Sequence, residues 1–543
     1  MNLFALYHAL GFPLPTPEEM SFWDAASIND FGIPETLLME NASREAFHVL
    51  DPMLEPCSRI LIIMGSGNNG GDGAALARHL LNAGHYVLVC HLKPLEMLSE
   101  TSLAHVAMAV KAGVPFIPLA LADNRLITPP EYRKIALVPH IIVDALLGTG
   151  FRGTLRDKEL EVIRFINRMR ASASATVFSL DIPSGLDGLT GLPRPEAVKA
   201  NHTVTFEAAK TGLAFHHALA HTGSLHVRRI GIPSAAHKLY PASFRLLAPK
   251  ESVWPTIEAD THKGEAGRVI IFGGSPGFTG APALAALGAL RTGAGLVTVA
   301  CPSGLESQIR PSFPEIMTLS LGGGASWSNA LLPACVKPLS ELPHRSAIIV
   351  GPGMGRSTET KNIIETIIKE KKRPPLVLDA DGLHPLGAEA GSGRPASLLK
   401  YLREDDCITP HPGEAAHILD TSTEDVQSAR VGSIRALTEM TKATVVLKGA
   451  GTLIARGNSP IFIAPFATPS LAVGGSGDVL SGIIAAFFAK LRSGSSTANE
   501  ESFKAVCLGV YLHGMAGRLL DVEYPRRGAL AREIADAIPR VTL

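Results

Sequence analysis

Hydrophobic positions follow two alternating patterns along most of the chain. Short apolar runs rich in β-branched residues predict strands, and Ala/Leu-rich stretches with helical spacing predict the helices between them. The predicted strands are residues 59–64, 86–91, 141–144, 176–181, 202–206, 225–230, 268–272, 296–300, 347–350, 376–379 and 444–448. Strands that are apolar on both faces indicate parallel sheets covered by helices, so we expect an α/β fold in both halves.

The alternation lapses between residues 232 and 262, where four prolines (Pro233, Pro241, Pro249 and Pro255) interrupt it. A chain of 543 residues is too long for one ordinary hydrophobic core. We therefore expect two domains, residues 1–240 and residues 241–543. The two halves share no repeated motif, which argues against a duplication.

Charge and cysteine usage narrow the class of protein. Lys plus Arg equals Asp plus Glu at 50 each, so no global field favours nucleic acid or an anionic membrane. The six cysteines show no CxxC pair, which argues against a disulfide framework or a zinc site. The longest apolar helical run, residues 479–489, is too short to span a bilayer. We expect a cytoplasmic protein without a membrane or nucleic-acid partner.

The first glycine-rich segment follows strand 59–64 and precedes a helix predicted over residues 74–82. It contains a GxGxxG pattern at Gly65, Gly67 and Gly70, which fits either a dinucleotide site or a tight βα turn. Asn68 and Asp72 add side-chain oxygens that a plain turn does not need.

Further polar residues follow other strands of the first half. Asp144 leads into a second glycine-rich segment, Asp181 follows strand 176–181, and Glu207 and Lys210 follow strand 202–206. Each aspartate alone is better explained as a simple cap. Because the carboxyl ends of parallel strands meet at one sheet edge, their joint occurrence favours a site.

The motifs GNNGGDG, VDALLGTGFRG, DIPSGLDG and TFEAAKTGL, with LMENA at residues 38–42, resemble the YjeF N-terminal or NAD(P)H-hydrate epimerase family over about residues 15–235. The resemblance implies a Rossmann-like three-layer domain and a potassium ion held by Asn69, Asp144 and Ser184. Ser43 stands where that family usually has Gly. The implied substrate contacts are Asn68, Asn69, Gly70, Gly71, Asp72, Gly148, Thr149, Gly150, Phe151, Arg152, Gly153, Thr154 and Asp181.

The substrate of that family carries a hydroxyl at C6 of the reduced nicotinamide ring. Inverting C6 requires transient loss of its C–O or C–N bond, assisted by proton transfer. A positioned carboxylate is suited to this acid/base role, and we expect Asp181 to supply it.

The second half contains its own glycine-rich segments after predicted strands, at residues 273–281, 351–355 and 448–452. None ends in the Gly-Lys-Ser/Thr of a Walker A motif, which argues against an ordinary P-loop ATPase. Gly474, Gly475 and Gly477 precede a predicted helix and indicate an anion hole, with Asp478 placed to remove a proton. Asp478 as a helix cap, His411 as a packing residue and Lys448 as a solvated lysine are the structural alternatives.

The motifs HKGEAG, GGSPGFTGAP, GPGMG, LDADGL, TPHPGE, KGAGTLI and AVGGSGDVLSGIIAA are similar to the NAD(P)H-hydrate dehydratase branch of the ribokinase superfamily over about residues 250–540. Phe278 stands where Tyr is common. The resemblance implies a ribokinase-like α/β domain, with hydrate contacts at Ala281, Gly353, His411 and Asp478. The implied nucleotide contacts are Lys448, Gly449, Ala450, Gly451, Thr452 and Gly477.

Together these resemblances imply a bifunctional repair enzyme for hydrated NADH and NADPH, with Asp181 and Asp478 as catalytic residues. They imply ADP with Mg²⁺ at the dehydratase site and a homo-oligomer, although no motif distinguishes ADP from ATP. Two alternatives stay open: a small-alcohol kinase with a regulatory N-terminal half, and a non-catalytic nucleotide-binding N-terminal half.

Overall fold

The computed structural model describes residues 3–122, 125–172, 175–256, 260–310, 313–387, 397–491 and 498–542. The strands are β1 (Gly11–Pro13), β2 (Arg59–Met64), β3 (Tyr86–His91), β4 (Phe116–Pro118), β5 (Leu121–Ala122), β6 (Arg125–Leu126), β7 (Ile141–Ala145), β8 (Thr176–Leu180), β9 (His202–Phe206), β10 (Ser224–Arg228), β11 (Phe244–Leu247), β12 (Arg268–Phe272), β13 (Leu296–Cys301), β14 (Met317–Ser320), β15 (Ser346–Val350), β16 (Leu376–Leu378), β17 (Cys407–Ile408), β18 (Thr444–Leu447), β19 (Leu453–Ala455) and β20 (Ile461–Ile463).

The helices are α1 (Leu3–Leu10), α2 (Pro17–Asn29), α3 (Glu35–Leu50), α4 (Asn68–Asn82), α5 (Glu100–Lys111), α6 (Arg133–Leu137), α7 (Asp157–Ser172), α8 (Leu219–Thr222), α9 (Ser234–Leu239), α10 (Gly280–Arg291), α11 (Glu306–Ile309), α12 (Leu332–Val336), α13 (Thr358–Lys369), α14 (Pro412–Leu419), α15 (Thr423–Ser428), α16 (Arg430–Met440), α17 (Ser476–Leu491), α18 (Ala498–Glu523) and α19 (Ala531–Ala537). Every strand predicted from the sequence occurs in the structure, within two residues at each end. The α/β fold class is therefore confirmed.

The chain divides into two compact units, one of them Pro13–Arg245. The other runs from Leu246 onward and includes the N-terminal segment up to Phe12. Leu6 and Leu10 of α1 are buried in the same apolar core as Val269 and Ile483. The sequence analysis placed this segment in the first domain, because nothing in its own composition shows where its apolar side packs.

The sheet of the Pro13–Arg245 unit is wholly parallel, with the order β10-β9-β8-β7-β2-β3-β4. The chain runs outward from β2 to β4, then crosses to the other side of β2 to form β7. A ligand site in such a sheet is expected at this reversal, beyond the carboxyl ends of β2 and β7. The segments that follow these two strands are the glycine-rich ones.

The larger sheet has the order β1-β11-β20-β19-β18-β17-β16-β15-β12-β13-β14 and reverses between β12 and β15. Strands β12 to β18 pair in parallel, but β19 pairs antiparallel with β18 and β20. The expectation of parallel strands alone is wrong here. Five residues join β19 to β20, too few for a parallel crossover.

Helices α10 and α17 cover the larger sheet and meet at their backbones. A Cβ at Gly288 of α10 would lie 2.4 Å from the Val479 carbonyl oxygen, and one at Gly482 of α17 would lie 2.0 Å from the Ala285 oxygen. Both glycines are therefore required by close approach. Helix α18, over Asn499–Glu523, is long and apolar enough to cross a membrane, but 67% of its most apolar window is buried within the protein. Such burial is typical of a core helix.

Candidate active sites

A cavity of about 510 Å³ lies at the β2/β7 reversal. Its walls come from α2, α3, the start of α4, the segment after β7 and the residues after β8 and β9. The predicted substrate residues that line it are Asn68, Asn69, Asp72, Gly148, Thr149, Gly150, Phe151, Arg152 and Asp181. Gly70, Gly71, Gly153 and Thr154 are not part of the lining. The sequence missed Asp24 and Glu35, which line the same cavity and stand outside any glycine-rich segment.

The segment 68–73 was predicted to precede its helix, and this is wrong, because α4 begins at Asn68. Its glycines serve close packing rather than loop flexibility. A Cβ at Gly70 would lie 2.2 Å from the Gly65 oxygen, and one at Gly71 would lie 2.6 Å from the Met39 sulfur. The absence of Cβ atoms lets the first turn of α4 press against the sheet edge.

Asp181 follows β8 in a left-handed conformation, with φ 64°. Its Oδ1 accepts a hydrogen bond from the buried Lys210 ammonium at 2.5 Å, and its Oδ2 accepts one from the Thr149 N–H at 3.1 Å. Lys210 also donates to Thr205 Oγ1 at 3.0 Å and to the Phe206 carbonyl at 2.9 Å. These contacts fix Asp181 at the cavity wall.

Asp144 is fully buried at the end of β7. Its carboxylate accepts bonds from Ser179 Oγ at 2.8 Å, from the Ser184 N–H at 2.9 Å and from Ser184 Oγ at 2.5 Å. Burial raises the pKa of Asp144, and these hydrogen bonds oppose the rise. Asn69 donates to the Leu147 carbonyl at 2.9 Å, while its own Oδ1 is buried without a hydrogen-bond partner.

Two other carboxyl groups at the cavity are shielded from water. Burial raises the pKa of Asp24 to about 6, and the negative charge of Asp181 adds to the rise while Lys210 opposes it. Burial also raises the pKa of Asp72 well above its ordinary range, helped by Asp181 and Asp24. The cavity thus combines an ion-paired carboxylate with carboxyl groups whose pKa values are raised.

In the other unit, acidic and basic groups gather beyond the carboxyl ends of β16 and β18. The Lys448 ammonium lies 2.7 Å from Asp379 Oδ1 and 3.7 Å from Glu414 Oε2. Thr409 Oγ1 also donates to Asp379 Oδ1, at 2.9 Å. A Cβ at Gly477 would lie 3.2 Å from the Lys448 nitrogen, so this cluster adjoins the start of α17.

Asp478 lies in the first turn of α17, which begins at Ser476 and not after the whole glycine motif as predicted. Burial raises the pKa of Asp478 to about 8, with a further rise from Asp379 and a lowering from Lys448. The Ser476 hydroxyl lies 3.1 Å from Nε2 of buried His513, a residue that no sequence motif indicated. Burial lowers the pKa of His513 to about 4.

The predicted hydrate-contact residues lie on separate elements. Ala281 lies in the first turn of α10, and a Cβ at Gly353 would lie 2.4 Å from the Phe278 carbonyl oxygen. His411 caps α14, where its Nδ1 accepts from the N–H groups of Gly413 and Glu414. This capping role is a structural function that the sequence analysis did not foresee for His411, whose imidazole is otherwise largely exposed.

The predicted nucleotide segment 448–452 turns tightly between β18 and β19. Arg430 donates to the carbonyl groups of Lys448 at 3.2 Å, of Leu447 at 3.2 Å and of Gly451 at 3.4 Å. A Cβ at Gly449 would lie 2.6 Å from Arg430 Nη1, so glycine makes room for this guanidinium. Arg430 had no motif of its own and was missed.

Two family models match the chain. The model described as YjeF-related protein N-terminus matches residues 35–212, and that described as NAD(P)H-hydrate dehydratase matches residues 269–540. A bifunctional NAD(P)H-hydrate repair enzyme of Moorella thermoacetica is 35% identical over 538 residues, covering 97% of this chain and 96% of the relative. One of Coxiella burnetii is 35% identical over 507 residues, covering 93% and 94%.

Among solved structures, an ADP/ATP-dependent NAD(P)H-hydrate dehydratase from Bacillus subtilis, co-crystallized with ATP/Mg²⁺, is 27% identical. It covers 53% of this chain and 93% of its own, with a TM-score of 0.43. The fold and the two matched models define an α/β enzyme with two domains, each of which has a candidate site. The chain belongs to the family of bifunctional NAD(P)H-hydrate repair enzymes, which confirms the resemblance inferred from its motifs.

Proposed function

We propose that this enzyme restores NADH and NADPH from their hydrates through two successive activities. The Pro13–Arg245 unit interconverts the R and S hydrates, and the other unit dehydrates the S hydrate at the expense of ADP or ATP. The observation that carries the proposal is the placement of Asp181 on the wall of a cavity at the β2/β7 reversal. A dinucleotide carrying an altered ring fits a site of this kind.

In the epimerase, Asp181 is the proton acceptor at C6 of the hydrated ring. Its contacts with Lys210 and the Thr149 N–H hold the carboxylate in one orientation, as a general base requires. Residues 148–152 and the first turn of α4 hold the dinucleotide, because they offer N–H groups and amide oxygens to it.

Potassium suits the oxygen donors around Leu147. Asn69 Oδ1 is a buried oxygen without a hydrogen-bond partner, and Ser184 Oγ lies 3.3 Å from the Leu147 oxygen. A weakly charged, oxygen-only set matches a monovalent cation better than a transition metal. We propose that Asn69, Asp144 and Ser184 hold K⁺ and that the ion orders the segment after β7. A rise in the midpoint of thermal unfolding with KCl, and none with LiCl at equal ionic strength, would support this site.

In the dehydratase, Asp478 removes the proton from the C6 hydroxyl, which accepts a phosphoryl group from the nucleotide. The N1 lone pair then expels phosphate by forming a C6=N1 double bond. Loss of a proton from C5 to water forms the C5=C6 double bond of the reduced nicotinamide, and the electron pair returns to N1. Residues 448–452 and Gly477 bind the nucleotide, since Lys448 and the start of α17 place positive charge there. Mg²⁺ accompanies the nucleotide and neutralises phosphate charge.

The test is recovery of NADH absorbance from a mixture of R and S hydrates with ADP or ATP, Mg²⁺ and K⁺. We expect full recovery with the intact enzyme, since both activities act on the mixture. Recovery that stops at the S fraction would remove the epimerase from the proposal. A stable phosphorylated product without NADH would indicate a kinase of a small alcohol. Size-exclusion chromatography with light scattering tests the homo-oligomer that we also propose.

A further inference from the structure

Asp24 is a charged residue at the epimerase cavity that no motif indicated. It lies on α2, within an otherwise mostly uncharged wall that includes Met20, Ser21 and Ile28. Helix α2 is held firmly at its start by a capping box between Thr16 and Glu19. Its face toward the core is anchored by Trp23, which is fully buried and donates to the Tyr240 carbonyl at 2.7 Å. The helix therefore presents Asp24 to the cavity from a fixed position.

Inversion at C6 needs a proton donor as well as an acceptor. Asp181 is unsuited to donate, because the Lys210 ammonium and the Thr149 N–H both bond to its carboxylate oxygens. Glu35 is also engaged, accepting from Asn68 Nδ2 at 3.0 Å and from Thr101 Oγ1 at 2.7 Å. A different carboxyl group has to supply the proton.

We propose that Asp24 is the proton donor of the epimerase, a catalytic residue that acts on the substrate together with Asp181. The inference rests on the proposed epimerase function and deepens it. Asp24 lines the cavity that Asp181 lines, and it comes from a different element, α2, rather than from the sheet edge. Two carboxyl groups on separate walls can act on one ring carbon in opposite roles.

The surroundings of Asp24 raise the fraction of its carboxyl group that is protonated at a given pH. Burial is the main cause of its raised pKa of about 6, which lies close to the value that suits a general acid. Asp72 lies near the start of α4, which the proposed function assigns to holding the dinucleotide. Helix α9, which packs on α2, contributes His237, stacked on Trp23, and Lys238. The other charged groups around Asp24 are Glu35, Asp72, Arg152, Asp181, Glu207 and Lys210.

The step balances without an added reactant other than water. The Asp24 carboxyl protonates the C6 hydroxyl, the C6–O bond breaks to release water, and the N1 lone pair forms a C6=N1 double bond. Water then adds to the opposite face of C6, its proton passes to the Asp181 carboxylate, and the electron pair returns to N1. Solvent carries a proton from Asp181 back to Asp24 before the next turnover in the same direction.

The test compares Asp24→Asn with Asp30→Asn, an exposed carboxylate at the end of the same helix. R hydrate is converted to S hydrate without nucleotide, the epimers are separated by chromatography, and the spontaneous rate is subtracted. Asp24→Asn should lower kcat by about 10²–10⁴-fold with KM changed only a few-fold, the usual range for a general acid. Asp30→Asn should match the unmodified enzyme.

Two further readouts separate catalysis from a structural role. Acetic acid should restore activity to Asp24→Gly, because the small acid enters the space left by the side chain, whereas sodium chloride should not. The unmodified enzyme should incorporate ¹⁸O from labelled water at C6 during epimerisation, and label-free epimerisation would overturn the step. If the unmodified enzyme does not epimerise the hydrate, the proposed function fails. If it does and Asp24→Asn stays within threefold of it, only the role of Asp24 fails.

Discussion

The two units differ in which aspartate is paired with a lysine. In the epimerase unit it is Asp181, the residue proposed as catalytic, whereas in the dehydratase unit it is Asp379 and not the proposed catalytic Asp478. Lys210 bonds directly to Asp181, and both are nearly inaccessible to water. Lys448 bonds to Asp379, which leaves Asp478 influenced by Lys448 without being its direct partner. Each site thus has a lysine, but the lysines act on the reactive carboxyl groups in different ways.

The two proposed catalytic aspartates therefore have different electrostatic surroundings. Asp181 is held by direct contact with the Lys210 ammonium group. Asp478 has a pKa of about 8 because burial and the charge of Asp379 outweigh the lowering by Lys448. At neutral pH Asp478 therefore holds a proton, and a higher pH or a bound cation favours its release. A sequence motif shows that an aspartate is present, but it does not show whether a lysine is its direct partner.

The largest effect is expected for Asp478→Asn, which removes the proposed base of the dehydratase. NADH recovery from pure S hydrate should fall by about 10³-fold or more, at the upper part of the range for general-base removal. The measurement is NADH absorbance with saturating nucleotide. Asp420→Asn is the matched control, because Asp420 is exposed and left-handed at the end of α14, where asparagine is equally suited. A rate within threefold of the unmodified enzyme for Asp478→Asn would contradict the proposal.

Asp181→Asn should lower epimerisation by about 10²–10⁴-fold, since the amide cannot accept the proton. Recovery from a mixture of hydrates should then stop near the S fraction, apart from spontaneous epimerisation. Dehydration of pure S hydrate by the same protein serves as the internal control and should be unchanged. Complete recovery at the normal rate would show that Asp181 is not the acceptor.

Replacing each lysine by methionine measures how far each site depends on its ion pair. Lys210→Met leaves a buried carboxylate without its cation and should destabilise its unit by about 3–5 kcal/mol. Lys448→Met should cost less, about 1–3 kcal/mol, because the Lys448 side chain is 19% exposed and Asp379 keeps the bond from Thr409. Hydrogen exchange of peptides from each unit, followed by mass spectrometry, reports the two costs separately. Equal costs would mean that the pairs are equivalent.

The smallest effect, and the finest comparison, is the pH dependence of the two half-reactions. The raised pKa of Asp478, about 8, means that the fraction of ionised base grows with pH, so dehydratase kcat/KM should rise about tenfold per pH unit below 8. The proposed acid Asp24 loses its proton above its pKa of about 6, so epimerase kcat/KM should fall above pH 6. Profiles measured between pH 5 and 9 with each substrate alone should slope in opposite directions. Parallel profiles would contradict these acid and base assignments.

The sequence predicted the central strands well because they are continuous apolar runs, as β2 and β12 show. It missed β17, which has two residues, and the antiparallel pair β19 and β20, because three-residue strands give no periodicity. It placed the starts of α4 and α17 too late. Glycine usually marks a loop, but in these helices it marks the close approach of other backbone and side-chain atoms.

The site residues that could be predicted follow strands within glycine-rich motifs, such as Asp144 and Asp181. Asp24 and Glu35 lie on helices far away in the sequence and reach the cavity only through packing. Arg430 likewise donates hydrogen bonds to backbone carbonyl groups of residues 447–451, which lie well beyond it in the sequence. Contacts between segments distant in the sequence leave no local pattern, so one sequence could not reveal them.

The contact of α10 with α17 through Gly288 and Gly482 has a mechanical consequence. Two helices whose backbones touch cannot slide past each other without collision, and interlocked interiors of this kind resist compression. The first turns of the two helices, which carry Ala281 and Asp478, are therefore held in a fixed relative position. Phe278, whose side chain is exposed, lies in the turn before α10 and outside this helix contact.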